Sequence, residues 1–174
     1  MGSKAPLAGR YTLSSAGLRR WALRFVASGR ASIMSEFEVF EISDRNPYLA
    51  GFRAWLDEFA PNLWERLEDV ESLPDETRLR ILLRSLELAC LIQRVGNITL
   101  GRFVLQRRLP REWVVRNISK ASESILADPD QEWVFRRLFE LYSTLDAELL
   151  RQLVNRAQEH SNPEVREAAR EFRV

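Results

Sequence analysis

An all-α fold follows from three features of the chain. Apolar residues recur every three to four positions over most of its length. Asn-Pro, Asp-Pro and single prolines interrupt that pattern at short intervals, where helices start or stop. Glycine and proline number only seven each in 174 residues, which suits a mostly helical chain. The expected architecture is a helical bundle or a short α-solenoid of stacked antiparallel helix pairs. Residues 1–35 are expected to be a disordered basic leader, and residues 36–174 a single α-helical domain.

Composition sets the outer limits. A hydrophobic share of 45% allows one domain with a real core. The longest uncharged apolar run, Leu88 to Ile92, is far short of the roughly 20 residues of a membrane span, so no membrane partner is expected. The single cysteine, Cys90, excludes an internal disulfide and a cysteine-based zinc site. Its neighbours Ala89 and Leu91 mark it as core filler.

The leader carries six basic groups and no acid. From Leu18 to Val26 it sets Leu18, Trp21, Ala22 and Phe25 against Arg19, Arg20 and Arg24. Three readings stand: an upstream extension read in frame before Met34, a mitochondrial presequence, or a functional arm. They correspond to a cytoplasmic protein or, for the presequence, one of the mitochondrial matrix. All three imply disorder in isolation, because little apolar surface is available for burial.

The elements follow in order. Glu36 to Asp44 alternates polar and apolar residues and reads as a short strand or an extended lead-in. Asn46-Pro47 opens a helix with Tyr48, Leu49, Phe52, Trp55, Leu56 and Phe59 on one face. Pro61 ends it, and Asn62 caps a short helix holding Leu63, Trp64, Leu67 and Val70. Pro74, with Asp75 and Glu76 behind it, opens a helix expected to run through Leu79, Leu82, Leu83, Leu86, Ala89, Cys90 and Val95 to Gly96. Leu88, Leu91 and Ile92 give it a second apolar face, the mark of a central helix. Asn97 is expected to cap a helix over 98–109, ended by Pro110. Helices over 111–126 and 130–143 follow, and the chain closes with a pair joined at Asn162-Pro163.

In that last pair, Leu149, Leu150, Leu153, Val154 and Ala157 line one face of the first helix. Asn162, Pro163, Val165, Arg166, Ala168 and Ala169 open the second. This run resembles the second helix of a HEAT repeat, where an Asp/Asn-Pro turn is followed by Val-Arg and two alanines that permit close helix approach. The family's arginine often pairs with an aspartate near the end of the preceding helix; here His160 stands near that position. Asp128-Pro129-Asp130, with Val134 and Arg136, is a looser echo 34 residues upstream. That spacing also suits tetratricopeptide repeats, whose Trp-Leu-Gly and Ala signatures are missing. The resemblance implies HEAT-like stacking of the C-terminal helices, and with it a surface that binds a partner protein.

Charge is placed in blocks. Residues 36–76 carry three basic and twelve acidic groups, and residues 77–120 carry ten basic and two acidic. The basic block holds Arg94, Arg102, Arg107, Arg108, Arg111, Arg116 and Lys120. It reads either as the complement of the acidic block or as an anion surface for an acidic protein or for nucleic-acid phosphate. Without residues 1–35 the net charge is −5, which weighs against a dedicated nucleic-acid binder. Arginine outnumbers lysine 24 to 2, a bias that a GC-rich coding sequence accounts for.

Trp55, Trp64, Trp113 and Trp133 all lie on or beside apolar faces. Val114 and Val134 compete with Trp113 and Trp133 for the inner face, so these two rings are expected to be half exposed and to serve as partner anchors. The expected partner-binding residues are therefore Arg102, Arg107, Arg108, Arg111, Trp113 and Trp133. One histidine, His160, cannot form a catalytic pair or a histidine metal cluster. Glu87 is expected to pair with Arg84. No phosphate-cradling glycine loop or nucleophile elbow is present. No catalytic residue, cofactor, metal or small-molecule substrate is expected. The leading expectation is a non-enzymatic adaptor or complex subunit. A nucleic-acid-associated protein and an antitoxin- or immunity-type inhibitor stand behind it. A glycosylase-like use of Trp133 with Asp128 or Asp130 is disfavoured by the acidic C-terminal half.

Overall fold

A computed structural model of the chain describes Ile42, residues 46–127 and residues 132–172. The chain divides into two units, Met1–Phe40 and Glu41–Val174, and every described helix belongs to the second. The extended segment expected before Asp44 lies outside the described residues, except for Ile42. Among the described residues the secondary structure is entirely helical.

Helix α1 (Leu49–Asp57) buries Leu49, Phe52 and Leu56. Asn62 then takes φ 56°, a left-handed conformation that asparagine tolerates, and turns the chain into a 3-10 segment over Leu63–Ser72. Leu63, Trp64, Leu67 and Val70 are its buried side. Helix α2 (Asp75–Cys90) starts after Pro74 with Asp75 and Glu76 at its positive end. Helix α3 (Val95–Phe103) runs on into a π-turn, Val104–Arg108, which Pro110 prevents from continuing. Helix α4 spans Arg111–Ser122 and helix α5 Glu132–Leu145. Helices α6 (Ala147–Gln158) and α7 (Pro163–Glu171) complete the chain.

Helix α2 is the centre of the domain, packing against α3, α4, α5 and the π-turn. Its tightest partner is α3. A Cβ placed on Gly101 would lie 2.5 Å from the backbone nitrogen of Ala89 and 2.5 Å from the carbonyl oxygen of Ser85. Only a residue without a side chain fits there. The Ser85 hydroxyl, fully buried, is satisfied by donating to the Ile81 carbonyl at 2.8 Å. Helices α5, α6 and α7 pack mutually, and α5 also reaches α2. Local caps fix the two last starts. The Asp146 carboxylate accepts from the N–H groups of Glu148 and Leu149 at 2.9 and 3.0 Å. The Asn162 side chain accepts from Glu164 N–H at 2.9 Å, with Pro163 in the first turn.

Several element boundaries differ from expectation. Helix α2 stops at Cys90 and does not reach Gly96. The reason is a guanidinium from α5: Arg137 Nη1 donates to the carbonyls of Cys90 and Ile92 at 3.1 and 2.8 Å, satisfying groups that otherwise need the next helical turn. Val95 consequently opens α3 and is 77% exposed, whereas the sequence pattern placed it inside. Asn97 is not a cap but a buried residue within α3, whose cap position is Arg94. On α2 the inward place expected for Leu79 belongs to Ile81. Helix α4 ends at Ser122, not near residue 126, and a turn buries Ile125 and Leu126 instead. The Asp128-Pro129-Asp130 start lies outside the described residues.

The α2–α3 contact makes a direct prediction. Gly101→Ala must push α3 away from the backbone of α2, and should cost about 1–3 kcal/mol. Urea unfolding of wild type and variant measures this; equal midpoints would show that the two helices are not held at that distance.

Candidate functional site

The expected site residues lie along a seam where α3, the π-turn and the start of α4 run beside α5. Arg102 pairs with Glu140, and its side chain is 19% exposed. One turn further, Gln106 Nε2 donates to Thr144 Oγ1 at 2.6 Å. Arg111 donates to the carbonyl of Leu145, the last residue of α5, at 2.5 Å. The partner numbers rise together, so α3 and α5 point the same way along this seam. Arg108 crosses to the other side. It donates to the Trp64 carbonyl and stacks its guanidinium 5.0 Å from the centre of the Trp64 ring. Arg116 is paired with Glu71 at 3.1 Å.

These arginines are thus engaged inside the domain. Only one of these contacts, Arg116 to Glu71, joins the basic block to a carboxylate of the acidic block. Most of the others go to backbone carbonyls, which a guanidinium can cap from a neighbouring element. Arg107 is the exception: it is exposed and has no bonded partner among the described residues.

The two tryptophans part company. Trp113 is buried at 4% exposure, which corrects the expectation of a half-exposed ring. Trp113 and Val114 are both buried on α4, so the competition between them for the inner face does not arise. Trp133 does remain half-buried at the first turn of α5, with Arg137 stacked 4.8 Å above its ring. Trp133 and Arg107 do not form one patch. By the register of the seam, Arg107 lies near Thr144, and the helical rise separates that level from Trp133 by roughly 16 Å.

Sequence reasoning missed Arg137. Burial lowers its pKa, yet it holds the end of α2 and orders Trp133 at once. The i, i+4 spacing from Trp133 is a signal for the stacking, whereas nothing near Arg137 in sequence points to the carbonyls of Cys90 and Ile92. His160 is held by structural contacts. Its Nδ1 accepts from Asn162 N–H at 3.1 Å, and its ring meets Phe135 edge-on at 5.1 Å. Glu87 is bonded to Arg84 at 3.0 Å. Among the described residues there is no cluster of three or more His, Cys, Asp or Glu placed to hold a metal ion. No described helix is long and apolar enough to cross a membrane. The chain matches no family model, no curated protein and no solved structure.

Cys90 and Tyr142 behave as core. Burial pushes the Cys90 thiol from the usual 9.0 up to about 12. It raises Tyr142 from 10.0 to about 12, even though the phenol shares a 3.0 Å hydrogen bond with Ser122. Both groups hold their protons more tightly in the folded state. The stability they contribute is therefore whole below their unfolded pKa values and is lost as pH rises toward about 12. Thermal midpoints should fall across that alkaline window, and the fall should be shallower in Cys90→Ala. At neutral pH the thiol should resist a disulfide reagent until denaturant is added; rapid labelling of the native protein would contradict its burial. The tryptophans allow a second check. Trp113→Ala should cost about 3–5 kcal/mol in a denaturant titration, as a fully packed ring does, and Trp133→Ala clearly less.

Proposed function

We propose that the protein is a non-enzymatic protein-binding module, an adaptor or small complex subunit, whose last helices stack in HEAT fashion. The observation that carries the reading is Trp133. It is a large aromatic side chain that keeps part of its ring at the surface while Arg137 holds it in one position. Rigid, partly exposed aromatics are the side chains that anchor protein interfaces.

Several facts support a protein over a nucleic acid as the partner. Arg102, Arg108, Arg111 and Arg116 are committed to internal acceptors, so they are not free to neutralise phosphates. On α6 and α7 the exposed carboxylates of Glu159, Glu164 and Glu167 carry no ion pair among the described residues. Arg107 alone remains as an exposed basic contact in the seam, and it suits an acidic residue on the partner.

The HEAT-like element of the proposal rests on α6 and α7. Both are apolar on one side only: Leu149, Leu150, Leu153 and Val154 face Val165, Ala168 and Ala169 in a packed pair. Fully buried Ala168 and Ala169 allow the close approach that the resemblance implies. The aspartate contact of the family is replaced. Arg166 Nη1 donates to the carbonyls of His160 and Ser161 at 2.6 and 2.7 Å, holding the turn between α6 and α7 without a carboxylate.

Cross-linked capture from the source cell's extract tests the reading. Wild-type protein should retain a specific protein partner. Trp133→Ala should lose most of it with little change in melting temperature, and Arg107→Glu should weaken it. Retention of nucleic acid instead, abolished by salt and by Arg107→Glu, would favour the anion-surface alternative.

A further inference from the structure

A groove of about 540 Å³ opens between α1, α2 and α3. Its size falls within the range of sites that enclose small ligands or a peptide side chain with its flanking amides. Tyr48, Phe52 and Trp55 line it from the α1 side, Leu88 from α2, and Leu100 and Asn97 from α3. The walls are held in place. Asn46 Nδ2 donates to the Gly96 carbonyl at 3.1 Å while its Oδ1 accepts from Tyr48 N–H at 2.9 Å, tying the start of α1 to α3. Gly96 leaves room for the Tyr48 ring, which a Cβ there would meet at 2.8 Å.

Asn97 is the unusual group. It is 7% exposed and lines the groove, yet its side-chain amide has no hydrogen-bond partner among the described residues. The residue is mostly covered, but its amide atoms are not sealed from solvent, so they remain available to a group that enters the groove. At the same groove stands Arg84, which uses only Nη1, on Glu87. Its Nε and Nη2 have no partner among the described residues.

From this combination we infer that the groove binds a short peptide segment carrying one large apolar side chain next to an aspartate or glutamate. The apolar side chain packs among Phe52, Trp55 and Leu100. The Asn97 carboxamide, with one acceptor and one donor group, matches a peptide unit, which offers one N–H and one carbonyl. The free edge of Arg84 takes the carboxylate. The inference rests on the reading of the protein as a binder of other proteins, but uses none of the Trp133 or Arg107 surface.

Gly51 supplies a clean block. It lies on α1 at the groove, and a Cβ built there meets nothing within 4 Å. Gly51→Trp should therefore fold normally and fill the space. The test is a phage-displayed heptapeptide library selected on the full chain, followed by fluorescence-polarisation titration of the enriched peptides. The expected motif is a large apolar residue beside Asp or Glu. Affinity should fall at least about tenfold in Gly51→Trp and in Asn97→Leu. In Arg84→Glu the selection should turn from acidic to basic flanking residues. Unchanged binding to a folded Gly51→Trp, or no enrichment above that variant as bait, overturns the inference. So does a wild-type dimer that Gly51→Trp converts to monomer, because the occupant is then a second copy of the chain. Partner capture that survives Gly51→Trp but not Trp133→Ala, with no groove peptide found, removes this inference and leaves the module reading intact.

Discussion

The packing depends on how closely α3 approaches α2. Gly101 lies against the backbone at Ser85 and Ala89, three small residues that bring the two helices to backbone contact. Interhelical distance follows the side chains at the contact, and here there are almost none. That approach sets where the outer residues of α3 fall. Arg102 reaches Glu140 and Gln106 reaches Thr144, while on the opposite flank Asn97 and Leu100 line the groove under α1. A wider spacing would alter the seam and the groove together, because both are lined by the same short helix.

Arginine performs a second structural task. Helix ends leave carbonyls without intrahelical partners. In this domain such carbonyls are met by guanidinium groups from elsewhere in the chain. Arg137 of α5 serves the end of α2 and Arg111 of α4 serves the end of α5, while Arg166 of α7 holds the turn that follows α6. One guanidinium nitrogen carries two N–H groups, and Nη1 of Arg137 and Nη1 of Arg166 each meet two carbonyls. Within the basic block Arg102, Arg108, Arg111 and Arg116 meet acceptors of the same chain, while Arg94, Arg107 and Lys120 stay exposed.

What the sequence made legible was local. The Asn162-Pro163 start is a capping signal whose partner lies two residues away, and it stands where the pattern put it; Asp146 caps α6 just as locally. The apolar stripes of α6 and α7 are equally local, and their buried residues match the spacing. The departures are all non-local. Val95 looked internal because the α2 pattern continues past Cys90; a guanidinium 47 residues away ends the helix there. Asn97 looked like a cap, and only the packing of α1 over α3 reveals it as a buried side chain at a groove. Trp113 and Trp133 each precede a valine in their helices. One ring is buried and the other is not, a difference set by neighbours from other elements. Among the arginines, periodicity placed the side chains on helices but could not assign their acceptors.

Trp133 shows how these themes meet. Arg137 must stay near the end of α2 to hold its carbonyls, and burial disfavours its charge. The electron-rich face of the indole offsets part of that cost. The ring is thus fixed by a structural need, while part of the side chain stays uncovered. An aromatic group already held in one conformation loses little entropy when a partner covers it, which is the main saving available to an interface. A residue can in this way be recruited for binding because it was first immobilised for stability.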